Sequence, residues 1–134
     1  MALDYGRVHT GVALSDPSGT IVRPLDAVSE AASPKGLKEL GNLVEAEGVD
    51  EVIVGLPVSL SGEHGAQAQE TEAFISLLKQ ALATPVLSWD ERYTSRIAAE
   101  KGRHSERNPH SLAACCLLED YLGSAAYRDR SGGK

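Results

Sequence analysis

At 134 residues, 42% apolar and 24% charged, the chain has the composition of an ordinary soluble globular protein and enough length to bury a core within one domain. No apolar run is long enough to cross a bilayer, and the N-terminus lacks the basic-then-apolar layout of a signal peptide, so a membrane partner is excluded and a cytoplasmic place is expected. The net charge of −6 argues against a surface that is basic throughout, although where charge sits matters more than its sum.

The first sixteen residues read as two short strands around a turn. Ala2, Leu3 and Tyr5 are apolar before it, and Val12, Ala13 and Leu14 after it, with Gly6 and Gly11 freeing the backbone between. Residues 20–28 read as a third strand, which Pro24 places at an edge or a bulge. Ser33 and Pro34 then open a helix as cap and first-turn proline. Leu37, Leu40 and Val44 share one of its faces and Gly48 ends it. Residues 50–55 form a short apolar strand of the buried kind.

A loop rich in Gly, Ser and Pro spans 56–65. A helix is predicted over 66–83 with Phe74, Leu77, Leu78, Ala81 and Leu82 at helical spacing. Residues 85–89 make a fifth strand that runs into Asp90, Glu91 and Arg92. A short helix is predicted over 95–101, a polar and mobile stretch over 102–108, and a last helix from Pro109 to Leu122 with Leu112, Cys115, Leu118 and Leu122 inward. Cys115 and Cys116 are neighbours on that helix and point about 100° apart, so they read as buried free thiols rather than a disulfide. One domain is expected over 1–127 and a disordered tail over 128–134. Three hairpin-linked strands followed by strand–helix units predict an α/β fold, a mixed sheet with helices on its faces.

Three positions at element ends could carry chemistry. Asp4 stands within an apolar strand, where a carboxylate is costly to bury unless it is paired or binds a metal. Asp90 and Glu91 follow the fifth strand, and His110 opens the last helix. Ligands in α/β sheets gather where strand ends and helix starts meet. Carboxylates there suit Mg2+ or Mn2+, and paired ions can activate water and stabilise the leaving oxygen in phosphodiester cleavage. On spacing alone the bland alternatives stay open: Asp4 bonding backbone amides near Gly6, and Glu91 pairing with Arg92 or Arg96. From 92 to 107 the chain carries Arg92, Arg96, Lys101, Arg103 and Arg107 against Glu100 and Glu106, a basic stretch that suits either phosphate or solvent.

Asp4-Tyr5-Gly6-Arg7 with Gly11 to Pro17, Ile53 to Pro57 with Ser61 and Gly62, Trp89 to Thr94, and Ser111-Leu112-Ala113-Ala114 with Leu118 to Leu122 together resemble the YqgF family. Its members are Holliday-junction-resolvase-like proteins, also described as pre-16S ribosomal RNA nucleases. The resemblance runs in order from Ala2 to Leu122. It implies a ribonuclease-H-like fold with a mixed five-stranded sheet. It also implies a Mg2+- or Mn2+-dependent hydrolase that processes the 5′ end of the small-subunit rRNA precursor. A DNA junction resolvase acting on branched DNA, or a nucleic-acid-binding member that no longer cleaves, is the alternative. Monomer and homodimer both stay open.

Carried over residue by residue, Asp4 matches the family's first-strand aspartate and Glu91 the glutamate of its Asp-Glu-Arg motif, the two expected metal ligands. Arg92 and Arg96 would face phosphate, and Gly55, Pro57 and Gly62 would shape a loop beside the site. Family members usually open the last helix with an aspartate, where this chain has His110. Glu119 and Asp120 lie about 14–15 Å further along a helix and do not replace it. His110 could bind a metal as neutral imidazole or shuttle a proton. The segment between Arg92 and His110 is shorter and less basic than is usual in the family. Arg7 and His9 in the opening turn are the candidates to compensate. An Asp-x-Gly hairpin also cradles phosphate in actin-like kinases, but those need two domains around a cleft, which this length cannot supply.

Overall fold

The computed structural model describes residues 1–57, 65–90 and 109–124, with the backbone alone at Pro109 and His110. In chain order the described elements are β1 Ala2–Asp4, β2 His9–Ser15, β3 Val22–Ser29, α1 Pro34–Ala46, β4 Val52–Leu56, α2 Ala66–Ala81, β5 Val86–Asp90 and α3 Pro109–Leu122. The helix expected over 95–101, the polar stretch 102–108 and the tail 128–134 lie outside the described residues.

The strands form one five-stranded sheet in the order β3-β2-β1-β4-β5. β1–β2 and β2–β3 are antiparallel, whereas β1–β4 and β4–β5 are parallel. Turns suffice for the first two pairs. The parallel pairs need crossovers, which α1 and α2 supply. The mixed sheet read from the sequence is therefore the one found.

Alternation along the strands divides the core between two faces. Leu3, Val12, Val52, Val54 and Val86 pack with Leu40 of α1 and with Phe74 and Leu78 of α2. Ala2, Ala13 and Ile53 pack on the other face with Ala113, Ala114, Leu117, Leu118 and Tyr121 of α3. α1 is set by the predicted signals. Ser33 is its N-cap and accepts at 3.0 Å from the Gly36 amide, and Gly48 follows its end with φ +63°.

Two inner faces differ from expectation. In α2, Leu77 is 38% exposed and Ile75 turns inward beside Phe74 and Leu78. In α3, Leu118 is buried as expected, but Leu112, Cys115 and Leu122 are only half-buried. Ala113, Ala114, Cys116, Leu117 and Tyr121 take the sheet side. α3 is apolar around most of its circumference, so a 3.6-residue period does not single out one stripe. The sheet side is set by tertiary packing: Ala113 and Ala114 join Ala2, Ala13 and Ile53 of the strands in one buried cluster. Neither cysteine is in a disulfide; Cys116 is buried and Cys115 half-buried.

Candidate active site

β1, β4 and β5 run parallel, so their carboxyl ends lie along one edge of the sheet. Asp4 closes β1, Leu56 closes β4, and Asp90 closes β5 directly opposite Leu56. Leu3 belongs to the α1–α2 core, and Tyr5 stacks on Phe74 of α2 with ring centroids 4.4 Å apart. Asp4 lies between them, so the alternation sends it, like Ala2, to the α3 face. It is half-buried there.

The turn after Asp4 is held by a buried hydroxyl. Thr10 Oγ1 accepts from the Gly6 amide and donates to the Gly6 carbonyl, both at 3.3 Å. A Cβ at Gly6 would stand 2.4 Å from the His9 carbonyl oxygen, so the close approach of the two strands admits only glycine. The direction in which Asp4 leaves the sheet is thereby fixed by backbone packing.

The start of α3 reaches the same place from the other end of the chain. Ser111, fully buried, accepts from the Val12 amide at 2.9 Å and donates to the Leu25 carbonyl at 2.7 Å. Val12 pairs with Leu3 in β1, and Gly11 pairs with Asp4. The backbone at position 110 is thus carried to the stretch of β2 that flanks Asp4.

The remaining expected residues are distributed as follows. Arg7 lies in the opening turn, 77% exposed, and forks onto Glu70 of α2: Nε donates to Oε2 at 2.8 Å and Nη2 to Oε1. Those hydrogen bonds, with the opposite charge behind them, raise the Arg7 pKa and lower that of Glu70. They draw Arg7 toward α2 rather than toward the α3 face. His9 opens β2, exposed, opposite Ser29. Trp89, two residues before Glu91, packs on the α3 face, edge-on to Tyr121 with centroids 5.5 Å apart. Gly62, Glu91, Arg92, Arg96 and the His110 side chain lie outside the described residues. Among the described residues no three His, Cys, Asp or Glu side chains form a group able to hold a metal.

Two residues with a part in this geometry were not singled out by the sequence reading. Ser111 was visible only as a member of a motif. Glu70 has no local signal, because its partner lies at the far end of another element.

A hairpin-led mixed sheet of this order, with an aspartate on its first strand and the last helix across the hairpin, defines a ribonuclease-H-like fold. Thermus thermophilus RuvC in complex with Holliday junction substrate shares it, with a TM-score of 0.59 at 13% identity over 97% of this chain and 93% of that one. A second Thermus thermophilus RuvC structure gives 0.53 at 16% identity, over 97% and 94% of the two chains. The chain belongs to the RuvX family, described as Holliday junction resolvase, whose model matches residues 1–124. This is the family that the motifs resemble. Among relatives that carry the name "Putative pre-16S rRNA nuclease", that of Desulforudis audaxviator is 34% identical over 92% of this chain and 93% of its own length. That of Rubrobacter xylanophilus is 42% identical, over 90% and 89%.

Proposed function

We propose that this chain is a divalent-metal-dependent nuclease that acts in the cytoplasm on the 5′ end of precursor 16S ribosomal RNA. The observation that carries the reading is Asp4. It is a half-buried carboxylate at the carboxyl end of β1, turned to the α3 face beside the point where Ser111 ties α3 to the sheet. The names of its relatives supply the substrate.

A hard oxygen donor in that setting suits Mg2+ or Mn2+. Asp4 alone is too few ligands, so the reading needs Glu91, which follows the end of β5 directly. The ion would supply charge that lowers the pKa of a bound water and offsets charge on the leaving oxygen. The chain itself does the rest. Asp4, at the end of β1, and Glu91, the residue after β5 on the far side of β4, would hold the ion, His110 would carry a proton to or from the reacting oxygens, and Arg92 and Arg96 would orient phosphate.

The test is cleavage of a precursor 16S fragment with Mg2+ or Mn2+, with EDTA and Asp4→Asn as controls. Chelation is expected to abolish cleavage, and Asp4→Asn to lower it about a hundredfold or more. Cleavage that survives both refutes the reading. Four-way DNA assayed at the same salt separates RNA processing from junction resolution. A second reading, nucleic-acid binding without cleavage, is favoured by His110 in the place of the family's aspartate. It predicts no cleavage by the wild type and an affinity that Asp4→Asn leaves unchanged.

A further inference from the structure

We propose that Ser111 is a positioning residue of this site: its hydroxyl ties the first turn of α3 into the β2–β3 pairing and so sets position 110 against Asp4. The proposal rests on the nuclease reading and deepens it. Three observations converge on Ser111. The first is its place in the sheet. The register of β2 on β3 shifts between Thr10, opposite Val28, and Val12, opposite Leu25. Two residues of β3, Asp26 and Ala27, therefore face only Gly11. A bulge of this kind loosens pairing locally and is a common way to aim a side chain near an active site. Ser111 bridges the two residues at its edge, accepting from Val12 and donating to Leu25. One hydroxyl satisfies a backbone donor and a backbone acceptor beside the bulge.

The second is reach. A helical serine can touch sheet backbone only where the helix lies close. Ala113 and Ala114 share one buried cluster with Ala2 and Ala13, so small side chains stand on both sides of the helix–sheet interface and allow that approach. The third is where the tie falls. Val12 is the cross-strand partner of Leu3, immediately before Asp4, and Ser111 is immediately after His110. A slip of the helix start would change the separation of positions 4 and 110 without touching either side chain. Misplacement of about 1 Å in a reacting constellation costs up to a hundredfold in rate. A hydroxyl with only a packing role would affect stability and leave that separation alone.

The test uses the full chain as wild type, Ser111→Ala and Leu40→Ala, the last opening the α1 core on the opposite face of the sheet. Melting temperature, kcat and KM on the precursor fragment, and Mn2+ affinity by calorimetry without RNA are measured for each. Ser111→Ala is expected to lower kcat at least tenfold with KM within about threefold, and to weaken Mn2+ binding severalfold. Leu40→Ala should keep both per folded molecule. Ser111→Cys, close in size with a weaker donor and acceptor, should fall between wild type and Ser111→Ala, and it takes over the test should Ser111→Ala not fold. A wild-type kcat in Ser111→Ala, or a loss matched by Leu40→Ala at equal fraction folded, overturns the proposal. Should the wild type cleave nothing, the nuclease reading fails by itself. Mn2+ affinity then decides the positioning claim, and an affinity unchanged by Ser111→Ala overturns it.

Discussion

Burial pushes the Cys115 thiol up to about 11, with Glu119 and then Cys116 adding to the shift. The thiol is the neutral form, so the folded chain keeps this proton after the unfolded chain has begun to lose it near 9. Between those values the unfolded state binds fewer protons, and stability falls as pH rises. Cys115→Ala should therefore flatten the alkaline side of a stability–pH curve between about 9 and 11. The same shift makes the thiolate scarce at neutral pH, so alkylation of Cys115 at pH 8 should be at least about tenfold slower in the folded than in the unfolded chain. A mass-spectrometric time course reads this directly. Asp4 poses the opposite case at this scale. Its type and its apolar setting marked it from the sequence, because a carboxylate between Leu3 and Tyr5 has to be explained. Ser111 gave no such signal, since a serine in the first turn of a helix is ordinary until its bonds to Val12 and Leu25 are seen.

Elements were legible where local chemistry decides them. Ser33 and Gly48 bracket α1 as read, because a cap and a left-handed terminus act within a few residues of their own position. Ser33 Oγ also donates to the Glu30 carbonyl at 2.6 Å, so it fastens the β3–α1 turn as well as the helix. Ser33→Ala is expected to cost about 1–2 kcal/mol, a fall in melting temperature of roughly 3–8 °C by calorimetry. Helix faces were less legible, for the reason already visible in α3: its sheet side is set by packing with Ala2, Ala13 and Ile53, residues far away in sequence. Leu77 and Ile75 make the same point in α2, where both are apolar and only tertiary packing says which one points in. The β2–β3 bulge was half legible. Pro24 marked an edge or a bulge, but the register shift falls between Thr10 and Val12, beside Ser111.

Across the whole molecule, charge has to reconcile a net −6 with a polyanionic substrate. Binding must then be local, and each cation that neutralises a phosphate contributes about 0.7 to the log–log salt slope on single strands and about 0.9 on duplex. Arg92 should behave in this way, and Arg92→Ala is expected to make the slope shallower by about one while weakening binding on all sequences alike. Arg7 should not. Its guanidinium is held in a fork by Glu70, so a phosphate that recruits it displaces a carboxylate rather than only counterions. Arg7→Ala should therefore change affinity less than Arg92→Ala. Glu70→Gln should tighten binding at low salt and bring the effect of Arg7→Ala up toward that of Arg92→Ala. Fluorescence anisotropy of one RNA across a salt series, with these variants and the Arg7–Glu70 double mutant, measures all the slopes together. A slope that Arg7→Ala leaves unchanged both in the wild type and in the Glu70→Gln background would show that Arg7 meets no phosphate and belongs to the fold alone.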